Sequence, residues 1–218
     1  MGSTAATIPD FYIDTLPVAS TTHPMERLRY IEIDAGNSHV FTWLGQLRIA
    51  PYSYDYIDNY GRRSPYFIVK NLPPLRNGTH CLLAFHVYAF EENSFLACRF
   101  CEPINSPLNR FIRGLYIEYR LVKKGNKTEL WCKVLGFVNR GVVSRTAFLI
   151  ICGINRVMMK KQLWVIKKLS ERLAAGSIKA KEYSLDKSYI KSGLHWWIFC
   201  RRRHCPSLIT NQPQTIHQ

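Results

Sequence analysis

The chain of 218 residues contains no run of 18 uninterrupted apolar residues. The closest approach, Ala147 to Met159, holds Asn155 and Arg156 and is too short to span a bilayer. The first 24 residues lack a basic stretch followed by an apolar one, so no secretory signal is expected. The opening Met1-Gly2-Ser3-Thr4-Ala5-Ala6 has Ala where a myristoylation signal needs Ser or Thr. Seven cysteines are an odd number without framework spacing, which predicts reduced thiols and a cytoplasmic protein. There is no Gly-x-Ser-x-Gly elbow, no carboxylate pair of conspicuous spacing and no internal repeat. Serine-nucleophile chemistry and repeat architectures therefore have no support.

Acidic residues are also scarce: 15 Asp and Glu stand against 30 Lys and Arg, a net charge of +15. The excess is local. Arg145 to Gly176 carries seven basic residues and one acidic, and Ser177 to Gln218 carries seven and two. Those differences, +6 and +5, place 11 of the 15 charges in the last third. The basic character belongs to one helix and a tail, and it predicts polyanions or an anionic membrane surface as partners.

Residues 1 to 24 read as a loose, polar, Pro-containing leader. Leu28, Tyr30, Ile31 and Ile33 mark a first strand, Arg27 to Asp34. A helix from Ser38 to Arg48 follows from the spacing of Val40, Phe41, Leu44 and Leu47, and a shorter one is placed at Tyr54 to Asn59. Four strands come next, His80 to Phe90, Ser94 to Cys101, Ile112 to Val122 and Thr128 to Val138, separated by turn signals. Short turns between consecutive strands imply an antiparallel meander. From Ser144 to Ala175, Phe148, Met158, Met159, Ile166, Leu169 and Leu173 share one helical side, and Arg145, Arg156, Lys160 and Lys167 the other, with Gly176 as stop.

This order, together with the segment Trp43 to Pro65 (WLGQLRIAPYSYDYIDNYGRRSP), resembles a bacterial branch of the START-like superfamily. That superfamily is also called SRPBCC, or polyketide cyclase/dehydrase and lipid transport, and includes the birch pollen allergen. The resemblance covers roughly residues 25 to 175 by element order and departs from the branch at Tyr56, where a Trp often stands, and in a longer tail. It implies an α+β helix-grip fold, in which a curved antiparallel sheet and a long C-terminal helix enclose a cavity for lipids, polyketides or other apolar molecules. Some members of the superfamily cyclise or dehydrate their ligands and others carry them; it offers no universal catalytic residue to transfer.

The chain thus divides into a leader (1–24), a ligand-binding domain (25–176) and a basic aromatic tail (177–218). Tyr52, Tyr54 and Tyr56 suit a cavity mouth because each ring carries a polar tip, and Arg62 and Arg63 suit an anionic head group. The competing assignment packs the tyrosines against the sheet and pairs the arginines with Asp55 or Asp58. In the strand Ile112 to Val122, Leu115, Ile117, Tyr119 and Leu121 read as interior and Glu118 as exterior. Both parities of Thr128 to Val138 are apolar, and so is much of His80 to Phe90, so neither strand's cavity face can be chosen. If Leu82, Ala84, His86 and Tyr88 face inward, His86 is the leading acid/base candidate. Met158 is placed at the helix's inner side.

Cys98-Arg99-Phe100-Cys101 has a zinc-like spacing, but strand residues three apart point to opposite faces. His195, Cys200, His204 and Cys205 match no standard finger, so neither a metal nor a cofactor is expected. Trp164, Trp196, Trp197, Arg201, Arg202 and Arg203 combine rings with cations, as an anionic membrane surface requires. Single-stranded nucleic acid is a weaker match, for want of a recognised motif. The expected function is binding of a hydrophobic small molecule. A cyclase or dehydratase working through the same pocket is the alternative.

Overall fold

Two long stretches rich in β-branched and aromatic residues, joined by Lys124-Gly125-Asn126-Lys127, dominate the middle of the chain. They form the hairpin of β6 (Ile112–Lys124) and β7 (Lys127–Asn139), closed by a tight turn in which Gly125 has φ +62. That left-handed conformation favours glycine. The computed structural model describes residues 7–17, 20, 22–58, 63–82, 85–101 and 111–182, apart from the side chains at 57, 58, 113, 151 and 154. They belong to one unit, Met1–Ser184; a second unit, Leu185–Gln218, lies outside them.

Six strands form one antiparallel sheet in the order β1 (Thr22–Ile33), β7, β6, β5 (Phe95–Phe100), β4 (Phe85–Glu91), β3 (His80–Cys81). The register slips between Val87 and Ala89 and between Ile112 and Gly114, irregularities of the kind that bend a strand. After β1 come α1 (Asn37–Gly45), a 3-10 turn at Gln46–Arg48, and the single-turn α2 (Asp55–Asp58). The 33-residue α3 (Val142–Ala174) crosses the sheet and packs on β1, β7 and α1. A parallel pair, β2 (Ile68–Val69) with β8 (Ala180–Lys181), stands apart from the large sheet. Helix and antiparallel sheet together make the α+β helix-grip arrangement expected from the element order.

Strand alternation sorts the core into two layers. Leu115, Ile117, Tyr119 and Leu121 of β6 face α3, with Leu130, Cys132 and Val134 of β7 beside them. Against them α3 lays Phe148, Met159, Leu163, Ile166 and Leu169, so this interface is packed with side chains. By length and composition α3 would suffice to cross a bilayer, which the search for uninterrupted apolar runs did not suggest. Here its inner side is committed to the sheet.

The opposite face of the sheet is apolar too, through Phe95, Tyr116, Trp131, Leu135 and Phe137. It is covered by a segment expected to be loose leader. Phe11 and Ile13 are buried there, around a 3-10 helix at Tyr12–Thr15, and the Tyr12 ring stacks on Phe95 at 5.4 Å. The Ile13 amide donates to Glu118 Oε2 at 2.9 Å, and Lys133 meets Asp14 at 2.8 Å and Glu26 at 2.6 Å. β1 also begins earlier than expected, at Thr22. The reason is elementary: a strand apolar on both faces needs cover on both. Glu118, placed outside by its parity, is consequently buried, in contact with Arg120 at 2.9 Å.

A second correction concerns residues 80–90. They form two strands rather than one, paired His80 with His86 and Cys81 with Phe85. The chain reverses from Leu82, whose φ of +49 ends the extended run and whose amide donates to Leu47 O at 2.9 Å.

Candidate ligand-binding groove

The end of α3 builds one wall of the candidate site. Gly176, with φ +68, donates to Leu173 O, and the Ser177 amide donates to Arg172 O, both at 3.0 Å. This pair of bonds is the Schellman stop, which satisfies the last carbonyls and reverses the chain. Residues 177–181 then run back beside the segment 63–69. The Ile68 amide donates to Lys179 O at 3.3 Å and the Lys70 amide to Lys181 O at 3.0 Å.

The facing wall is held by side chains of the Trp43–Pro65 segment. Buried Gln46 accepts from the Val69 amide at 2.7 Å and donates to Phe67 O at 3.3 Å and to the Tyr52 hydroxyl at 3.1 Å. Asp55 accepts from both the amide and the hydroxyl of Ser64. Between the walls lies an open groove with a cavity volume of about 530 Å³. Its lining combines the cations Arg63, Arg172, Lys179 and Lys181 with the apolar Pro65, Tyr66, Phe67 and Ile178. Lys181 Nζ sits 5.7 Å from the centre of the Phe67 ring. No carboxylate is among the lining residues. Such a surface can desolvate an apolar body while cations at its edge meet a negative head.

Of the described residues proposed from sequence as ligand-binding, only Arg63 lines this groove. Tyr52 is a core residue, 1% exposed, with its ring edge-on to Trp43 at 5.7 Å. Tyr54 and Tyr56 are exposed and are not part of the lining. Arg62 lies outside the described residues, as do Trp196, Trp197, Arg201, Arg202 and Arg203. Tyr119 does face α3, but its hydroxyl is spent on Gln162 Oε1 at 2.6 Å, and Gln162 donates in turn to Pro51 O at 2.5 Å. Burial, first, and the thiols around it hold the Tyr119 phenol well above its ordinary range. At the helix's inner side the deeply buried methionine is Met159, 3.3 Å from Cys132 Sγ; Met158 is only half-buried.

His86 does not face the helix. Phe85 and Val87 take that direction, and His86 shares the outer face with Arg99 and Tyr116. Its Nδ1 lies 3.2 Å from Cys101 Sγ, a pairing that sequence reading missed because it depends on the register of β4 on β5. Burial, then Arg99 and His80, lower the His86 pKa and favour the neutral ring. Cys98, by contrast, faces the helix and touches Cys81 Sγ at 3.0 Å. The groove itself was also missed. Its two halves lie more than a hundred residues apart, and only the basic residues flanking Gly176 hinted at it.

No family model and no curated protein matches the chain. Among solved structures it is similar to the Zhui aromatase/cyclase from a Streptomyces species, with 15% identity, TM-score 0.45, and coverage of 72% of this chain and all of that one. It is similar to norcoclaurine synthase from Thalictrum flavum, with 10% identity and TM-score 0.42 over 76% of this chain and 94% of that one. A third likeness is to the di-domain ARO/CYC StfQ of the steffimycin biosynthetic pathway, at 9% identity and TM-score 0.43 over 70% of this chain. The chain spans about half of that protein, 52% of its length. At such identities the likeness concerns the course of the chain and not its chemistry.

Proposed function

We propose that this chain is a small-molecule-binding protein of helix-grip architecture whose ligand is an amphipathic anion, an apolar or aromatic body bearing a carboxylate, sulfonate or phosphate. The observation that carries the reading is the groove at the end of α3, where four cations surround an apolar lining of about 530 Å³. Apolar surface leaving water supplies affinity at about 25 cal/mol per Å². The guanidinium and ammonium groups fix the head and set the polarity of the accepted ligand. This narrows the expectation of a general hydrophobic ligand and moves its site from the sheet–helix interface to the helix end. A cyclase-like reading draws less from the geometry, because His86 and Tyr119 lie on opposite faces of the sheet.

Titration with the fluorescent anion anilinonaphthalene sulfonate tests the proposal. Binding is expected to weaken several-fold in Arg63→Glu and in Lys181→Glu, and to weaken with added salt. Both side chains are exposed, so the fold should survive. Equal affinity in wild type and both variants would remove the groove as the site. Native mass spectrometry of the purified chain, with extraction of any co-purifying molecule, would identify the natural anion.

A further inference from the structure

Six large aliphatic residues are exposed among the described residues, and five of them lie on α3: Val142, Val143, Leu149, Ile150 and Val157, at 45–80% exposure. The sixth is Ile8. At 100° per residue these five, with Trp164, fall on one side of the helix, opposite Phe148, Ile166 and Leu169. A surface helix of a globular protein normally turns polar residues to that side. Here the outward face is apolar along the first half of the helix.

Its charge is equally one-sided. From Val142 to Ser170 the helix has no Asp or Glu, and it carries Arg145, Arg156, Lys160, Lys161, Lys167 and Lys168. Lys161 and Lys168 place their ammonium groups 4.7 and 3.9 Å from the centre of the half-exposed Trp164 ring. Aliphatic side chains, an indole and a fringe of lysines on one helical face are the composition that sits at the level of lipid head groups.

We infer that the outer face of α3 docks on an anionic lipid surface, with Leu149, Ile150 and Val157 entering the apolar boundary and the flanking cations meeting phosphates. Charge complementarity selects this occupant. Lys167 is paired with Glu171 at 3.0 Å, but a second copy would still bring Arg145, Arg156, Lys160, Lys161 and Lys168 against their own counterparts, and the segment Ser177 to Gln218 is itself basic by +5. The face is separate from the groove: no residue of the aliphatic row lines it. The inference therefore stands whether or not the groove binds an anion.

Flotation of the full chain with vesicles tests it, comparing pure phosphatidylcholine with an equimolar mixture of phosphatidylcholine and phosphatidylglycerol. The wild type is expected to float with the mixed vesicles only. The double variant Ile150→Glu, Val157→Glu is expected to lose at least about tenfold in affinity, since each charge near such a surface is worth about 1 kcal/mol. Both positions are exposed, so circular dichroism and melting should be unchanged. No flotation of the wild type, or flotation undiminished in the double variant, overturns the inference. A wild-type dimer that the same variant dissociates, measured by light scattering, overturns it in favour of self-association.

Discussion

The seat of α3 on the sheet can be tested at one backbone position. Gly136 of β7 lies under Phe148, whose ring is fully buried. A Cβ added there would stand 2.1 Å from Phe148 Cε2 and 2.8 Å from Cδ2, far inside van der Waals contact. Alanine in a strand ordinarily gains about 0.5–1 kcal/mol over glycine through the unfolded chain. Overpacking costs about 1–3 kcal/mol, and an overlap this deep with an immobile ring belongs near the top of that range. The net expectation for Gly136→Ala is a loss of about 2 kcal/mol, or about 4–8 °C in Tm for a domain of this size. Urea and thermal denaturation measure it. Phe148→Leu removes the obstructing ring edge, so in that background Gly136→Ala should cost at least about 1 kcal/mol less. An unchanged or raised Tm in the single variant, or the same loss in both backgrounds, would refute the placement of α3.

Three further outcomes are expected. Tyr119→Phe should cost about 1–3 kcal/mol in urea denaturation, because it strips the donor from buried Gln162 without opening a cavity. Glu118 has its pKa raised by burial, against the lowering pull of the Ile13 amide and Arg120. A raised folded pKa means a contribution present below the unfolded value and lost as pH rises through the folded one. The stability of Glu118→Gln relative to wild type should therefore improve as pH rises above the ordinary carboxylate range of about 4; a difference that is flat, or that moves the other way, contradicts the assignment. Alkylation of the native protein followed by peptide mapping should modify half-buried Cys101 before Cys81, Cys98, Cys132 and Cys152, all buried. Simultaneous modification of all five would contradict the two-layer core.

Much of the architecture was legible because its signals are periodic. Leu115, Ile117, Tyr119 and Leu121 recur every second residue and face the helix, and α3 ends at Gly176 as its sequence requires. What was not legible depends on contacts between distant segments. In β7 both parities are apolar, so Leu130 could not be told from Trp131 as the helix-facing residue; the structure separates them, one into each layer. The split of residues 80–90 escaped notice because Leu82 is an unusual residue for φ +49. The tyrosines of the Trp43–Pro65 segment suggested a pocket mouth by composition alone. Their neighbours Gln46 and Asp55 instead brace the wall of a groove whose other half comes from the end of α3.

The leader explains why the two faces of the sheet are symmetric in composition. Phe11 and Ile13 seal one face as α3 seals the other, and Lys133, 9% exposed, is tolerated because Asp14 and Glu26 both reach it. With both faces of the sheet covered, sheet packing cannot account for the exposed aliphatic row on α3. With α3 docked as inferred above, this second apolar side of the helix meets a second apolar environment. The lysines around Trp164 and the absence of acid from Val142 to Ser170 make a negatively charged surface the electrostatic complement of that side. Protein interiors and neutral partners lack that combination, whereas the boundary of an anionic bilayer supplies both.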